Sequence, residues 1–208
     1  SDGASGDHFG DSVSISGDGT TALVGAWGDN DNGSFSGSAY IYELVDGVWE
    51  ETKLLATDGT SDDKFGIYVS ISSDGFIALV GVNGDDDNGP FSGSAYIYKL
   101  SWLSGVWEES KLLASDGASD DDFGKSVSIS SDGTTALVGA NGDDDNGTFS
   151  GSAYIFNIDS QDCPDINGDG YVNVNDLLSI IDHWGTNDET ADINLDRKST
   201  RLNSSHKP

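Results

Sequence analysis

The sequence predicts a mainly β chain: a partial β-propeller of three four-stranded blades, followed by a small C-terminal calcium loop–helix. Three observations carry that expectation. The stretch FGKSVSISSDGTTALVGANGDDDNGTFSGSAYIF, which begins at Phe123, recurs from Phe9 and from Phe65, at offsets of 56 and 58 residues. Residues 70–98 and 128–156 agree at 24 of 29 positions, so one supersecondary unit is used repeatedly. The 208 residues include 31 Asp against 6 Glu, a bias toward turns, caps and metal loops rather than solvated helices. Finally, DINGDGYVNVND at 165–176 has the oxygen-ligand spacing of a twelve-residue calcium loop.

Within the first copy the elements follow in order. Residues 12–16 alternate strictly, which places Val13 and Ile15 on one face of a strand. Gly17-Asp18-Gly19 is a hairpin turn, and Ser73-Asp74-Gly75 and Ser131-Asp132-Gly133 take its place later. Ala22-Leu23-Val24-Gly25 is a continuous apolar run, as in a strand covered on both faces. An acidic loop at 28–37 leads to a strand at 38–44, with Ala39 and Ile41 on one face and Tyr40 and Tyr42 on the other. The last strand, 48–56, carries Trp49 and ends in Lys53-Leu54-Leu55. Four short antiparallel strands per copy is the anatomy of a propeller blade. Three copies fall short of the usual four to eight blades, so the expected object is an open arc with two uncovered faces, part of a larger protein. The first copy also lacks the KLLA lead-in seen at 111–114, so a preceding segment is expected.

The pairs Phe9-Gly10, Phe65-Gly66 and Phe123-Gly124, followed by Val24-Gly25-Ala26, Val80-Gly81-Val82 and Val138-Gly139-Ala140, resemble the FG-GAP repeat family. This is the blade type of the integrin alpha-subunit propeller and of many bacterial surface proteins, and the resemblance covers residues 1–158. Trp27, Asn83 and Asn141 stand where the motif has proline. The family's DxNxDG calcium loop between the first two strands has shrunk here to SGDG or SSDG, so its ligands do not carry over. The clusters Asp29-Asn30-Asp31-Asn32-Gly33, Asp85-Asp86-Asp87-Asn88-Gly89 and Asp143-Asp144-Asp145-Asn146-Gly147 offer oxygen atoms to a hard cation. They lack spaced ligands with a later bidentate acid, and the favoured reading is a tight solvated turn built from Asx and Gly residues.

Beyond the repeats, 159–164 is a linker ending at Cys163-Pro164, and 165–195 is the calcium-binding module. The Ca²⁺ ligands are Asp165, Asn167, Asp169, the backbone carbonyl of Tyr171, Asn173 and Asp176, with Gly170 at the sharp turn. Leu177, Leu178, Ile180, Ile181 and Trp184 then form the apolar face of a helix closed by Gly185. His183 has no second His or Cys to form a metal site and is read as a surface or packing residue. Asp at the twelfth position and the run VNVNDLL resemble one half of a type I dockerin, a family that pairs two such loop–helix units and binds cohesin modules. A second half opens at Asp192, Asn194 and Asp196, but Arg197 stands in place of the turn glycine.

Residues 1–196 hold all 37 acidic residues, whereas the last twelve residues hold four of the nine basic ones and no acid. DRKSTRLNSSH is also the translation of a widely used sequencing adapter, so 196–208 is read as a read-through artefact outside any functional argument. The formal charge of −28 repels phosphate backbones and anionic bilayers, which excludes nucleic-acid binding and membrane insertion. No apolar run reaches the roughly 20 residues of a membrane helix. A single cysteine makes no internal disulfide.

No nucleophile elbow, HExxH or phosphate loop is present, and residues that recur with every blade do not make one asymmetric active site. The expected function is therefore non-enzymatic: an extracellular or cell-surface binding or adhesion protein with a calcium-dependent attachment module. Its expected partners are a protein ligand at the propeller loops, a cohesin-like protein, or a polysaccharide. The alternative is the accessory region of a secreted polysaccharide-degrading enzyme whose catalytic domain lies elsewhere.

Overall fold

The computed structural model describes residues 3–101 and 104–158. Contacts divide the chain into a unit spanning Ser1–Asp159 and a second spanning Ser160–Pro208, and all described residues belong to the first. Eleven strands form it: β1 (Val13–Ile15), β2 (Thr21–Ala26), β3 (Ser38–Val45), β4 (Val48–Leu54), β5 (Tyr68–Ile71), β6 (Ile77–Val82), β7 (Ser94–Leu100), β8 (Trp107–Leu112), β9 (Phe123–Ile129), β10 (Thr135–Ala140) and β11 (Ser152–Asn157). They make three antiparallel sheets in chain order, β1 to β4, β5 to β8 and β9 to β11. The mainly β, propeller-like expectation holds. The expectation of three four-stranded blades is corrected: the third sheet has three strands among the described residues. The physical reason lies in the sequence, because the VWEE…KLL strand that follows the first two copies has no counterpart after Ile158. The expected calcium loop–helix and the six residues expected to bind Ca²⁺, from Asp165 to Asp176, lie outside the described residues.

Register assigns every side chain to one of two faces. In the first sheet Val13 pairs with Val24, Val24 with Tyr40 and Tyr40 with Lys53, so these four share a face. Ser14, Leu23, Ile41 and Thr52 line up on the other. The second sheet packs its valine face on the leucine–isoleucine face of the first, and the third does the same to the second. Contacts run from β5 to β1 and β2, and from β9 to β5, β6 and β7, so the first strand of each copy is the one laid against the preceding sheet. Serine hydroxyls of one sheet take up strand amides of the next: the Val69 and Ile71 amides donate to Ser12 Oγ (3.0 Å) and Ser14 Oγ (3.1 Å), and the Ile129 amide donates to Ser70 Oγ (3.1 Å). This explains why β2 and β6 read as continuous apolar runs whereas β1 and β5 alternate with serine.

Backbone approach between sheets rests on paired glycines. A Cβ on Gly25 would meet the Gly66 carbonyl oxygen at 1.9 Å, and one on Gly81 the Gly124 oxygen at 2.0 Å. Parallel bridges join Gly37 to Phe65 and Gly93 to Phe123 at the same seams. Gly66 and Gly124 also hold φ of 87° and 90°, which L side chains rarely adopt. Gly81→Ala is therefore expected to separate the second and third sheets locally, costing about 1–3 kcal/mol as overpacking does, or more because the obstacle is backbone. Urea unfolding of the variant checks this, and an unchanged midpoint would contradict the seam.

The uncovered faces appear where the arc ends. Val13 is 66% exposed and its equivalent Val69 only 8%; Ile155 is 72% exposed and its equivalent Ile41 is fully buried. The same side chain is thus core in one copy and surface in another, purely through the presence or absence of a neighbouring sheet.

Candidate functional site

The connections from β2 to β3 and from the fourth strand of one copy to the first of the next emerge at the same end of the sheets. They interlock there. The Asp62, Lys64 and Phe65 amides donate to the carbonyls of Ser34 (2.7 Å), Phe35 (3.0 Å) and Ser36 (2.9 Å). One copy later Asp120, Asp122 and Phe123 donate to Pro90, Phe91 and Ser92 in the same pattern. Phe35 and Phe91, whose carbonyls face the next copy, both hold a φ of 54°, and Phe149 holds 53°. Their rings stay in solvent, so the loop end presents one exposed phenylalanine per copy at a fixed position. Around them the copies differ. Trp27 lies between His8 (4.2 Å, stacked) and Phe35 (6.0 Å) and donates its Nε1–H to Asp11 at 2.8 Å. In the second copy Lys64 Nζ sits 5.8 Å from the Phe91 ring centroid and Asn83 donates to Asp122 across the seam at 2.8 Å.

The acidic loops are turns, but not the solvated ones expected: Asp29, Asp85 and Asp143 are buried, and two of the loops enclose a cation that the chain itself supplies. Asp29 Oδ1 accepts the Asp31 amide at 3.0 Å, and Asp85 Oδ1 accepts that of Asp87 at 3.0 Å. Lys53 Nζ from β4 then reaches Asp29 at 2.9 Å and Asp31 at 2.6 Å. Lys111 Nζ from β8 reaches Asp58 at 2.9 Å, Asp85 at 2.7 Å and Asp87 at 2.7 Å, and lies 5.4 Å from the Tyr96 ring centroid. Burial works against the charged form of Asp58, but hydrogen bonds from Tyr96 and Lys111 outweigh it and hold the carboxyl below the ordinary carboxylate range. Asp29 is held low in the same way by Lys53 and the Asp31 amide. Burial likewise opposes the Lys111 ammonium, yet the three carboxylates raise its pKa. In the third copy no described lysine takes this position. There the Tyr154 hydroxyl lies between Asp116 (2.7 Å) and Asp143 (3.1 Å), its one proton shared between them, and the Asp143 charge raises the pKa of Asp145.

No group of three or more His, Cys, Asp or Glu is arranged to hold a metal among the described residues. The lysine cages went unrecognised in the sequence, although a signal was there. Lys53 and Lys111 hold the same place in copies one and two, in a chain with nine basic residues.

A family model described as FG-GAP repeat matches residues 1–42, 49–98 and 107–156, well over half of the chain and in register with all three copies. The chain belongs to the FG-GAP repeat family. Its two motif halves have a direct structural meaning here: the FG glycine of one copy packs backbone to backbone on the GA glycine of the copy before. Among solved structures, that of Saccharomyces cerevisiae Sqt1 matches 76% of the chain at 13% identity with a TM-score of 0.45, and the chain spans about a third (34%) of that structure's length. No match was found among curated proteins. No helix among the described residues is long and apolar enough to cross a membrane.

Proposed function

We propose that this FG-GAP chain is a non-enzymatic binding protein of the extracellular space or cell surface, which engages a protein or polysaccharide ligand through its loop end. The observation that carries this reading is the threefold display of Phe35, Phe91 and Phe149, exposed at equivalent positions with the same backbone conformation, the first two on loops hydrogen-bonded to the next copy. Exposed aromatics on loops fixed by a scaffold are the usual material of recognition surfaces. Membership of the repeat family supports a general binding role. The C-terminal module is the attachment device of this reading. Ca²⁺ would be held by Asp165, Asn167, Asp169, the Tyr171 carbonyl, Asn173 and Asp176, offset their repulsion and order the helix that docks a cohesin-like partner.

One surface-binding experiment with two arms tests both halves. The full chain is passed over immobilised secreted proteins and polysaccharides, with and without Ca²⁺, beside a Phe35→Ser/Phe91→Ser/Phe149→Ser variant and an Asp165→Ala variant. Loop-end binding is expected to fall at least about tenfold in the phenylalanine variant, as it does when aromatic anchors are removed. Calcium-dependent capture is expected to vanish in Asp165→Ala. Ligand binding unchanged in the triple variant would refute the loop end, and calcium dependence surviving in Asp165→Ala would refute the assigned ligands.

A further inference from the structure

We infer, on the reading that the loop end is the binding surface, that its ligand is a single folded protein lying across the copies, and that one turn in each copy sets the specificity. Over residues 1–42 and their equivalents 57–98 and 115–156, only three positions carry a different residue in every copy. One is His8, Lys64 and Asp122, the second Asp11, Ile67 and Lys125, and the third Ser34, Pro90 and Thr148. All three lie at the loop end. Exposure alone does not produce such change. Asp18, Asp74 and Asp132, at the opposite end, are exposed in every copy and identical, and so are Phe35, Phe91 and Phe149.

The first two positions belong to one turn. The amides of Asp11, Ile67 and Lys125 donate to the carbonyls of His8, Lys64 and Asp122, each at 3.2 Å, and those three residues hold φ of 56°, 61° and 58°. One backbone thus carries three unlike pairs. In the first copy His8 Nδ1 lies 3.4 Å from Asp11. In the second, Lys64 is paired with an isoleucine and reaches over the Phe91 ring at 5.8 Å. In the third the acid comes first, and Lys125 Nζ lies 2.6 Å from Asp122. The second and third turns have a preceding sheet beside them and are still partly open to solvent, so their display does not come from an end of the chain. A repeating polysaccharide presents the same sugars at each step and selects the same side chains at each step. A protein surface has no such period, and a repeat fits it only by departing from itself. The identical phenylalanines are the common anchors, and the turns set a carboxylate, an ammonium and an ion pair against complementary groups of the partner.

The test passes the full chain over an array of purified secreted proteins and over cellulose, chitin and xylan, beside a variant carrying His8→Asp, Asp11→Lys, Lys64→Asp and Ile67→Lys. These changes write the turn of the third copy into the other two and leave the formal charge unchanged. The backbone already carries those residues at that turn, so circular dichroism and the urea midpoint should match the native chain; if the four changes unfold it, Lys64→Asp/Ile67→Lys alone takes their place. The expected result is retention on a protein of the array, at least about tenfold weaker in the variant. Protein binding that is equal in the folded variant overturns the role of the turns, and retention on a polysaccharide that is equal in both chains overturns the protein ligand. The Phe35→Ser/Phe91→Ser/Phe149→Ser variant separates the two readings. Binding lost there but kept in the turn variant refutes this inference and leaves the loop end standing, whereas binding kept in both refutes the loop end itself. A chain retained by none of the probes counts against both.

Discussion

Phe65→Ala is expected to cost the protein about 3–5 kcal/mol, the range for deleting a buried aromatic side chain, and Phe123→Ala about the same. Both rings are fully enclosed. Phe65 packs edge-on against Tyr96 (5.5 Å) and Tyr98 (6.0 Å), and Phe123 against Tyr154 (5.3 Å) and Phe156 (6.0 Å). The preceding sheet closes over each of them, so truncation leaves a cavity bounded by two sheets and weakens the seam as well as the core. The third copy of this residue supplies the control. Phe9 makes the same edge contact with Tyr40 at 5.3 Å, but it is 43% exposed against 1% for Phe65. Phe9→Ala is expected to cost under about 1.5 kcal/mol, because little buried volume is lost. Three chemically identical substitutions read by urea unfolding thus measure how much of a phenylalanine's contribution comes from the neighbouring sheet. Equal losses at positions 9, 65 and 123 would mean that the seams contribute nothing.

The repeat, its strands and the facing of Tyr40 against Ile41 were legible because each follows from local rules: alternation, turn residues and the 56- and 58-residue offsets. Even the open ends were legible, since three copies cannot close a ring. What the residues did not disclose depends on contacts between copies. Val13 and Val69 are the same letter in the same pattern, yet one is surface and the other core, and no local rule separates them. That the third sheet has three strands among the described residues could have been read from the absence of a VWEE…KLL segment after Ile158. The acidic loops show the limit most clearly. Read alone, DDDNG favours a turn without saying what neutralises its carboxylates, and it is Lys111, arriving on β8 from 26 and 24 residues away in sequence, that neutralises Asp85 and Asp87.

That lysine sets the second large expectation. Lys111→Met is expected to lose roughly 2–4 kcal/mol near neutral pH, somewhat below the 3–5 kcal/mol of breaking a fully buried pair, because Asp58 and Asp87 remain half in water. Methionine keeps the apolar stem and removes only the ammonium, with its place over the Tyr96 ring, so the loss isolates the charge. Asp85, whose carboxylate is nearly enclosed, is left without its cation beside two other carboxylates. The dependence on pH distinguishes this from a packing defect. In the folded chain the hydrogen bonds from Tyr96 and Lys111 hold Asp58 below the ordinary value of 3.8. The stabilisation carried by a depressed carboxyl is present above the unfolded pKa and is lost as pH falls through the folded one. Lys111, whose pKa is raised, keeps its contribution throughout the range below the ordinary lysine value, so no alkaline loss enters near neutrality. Acidification therefore erodes in the wild type, through Asp58, a stabilisation that the variant no longer has. The gap between their unfolding midpoints should shrink from about pH 7 to about pH 3. A gap that is the same at both would show that Lys111 acts through its stem alone, and the cage would then be a consequence of the fold and no part of what stabilises it.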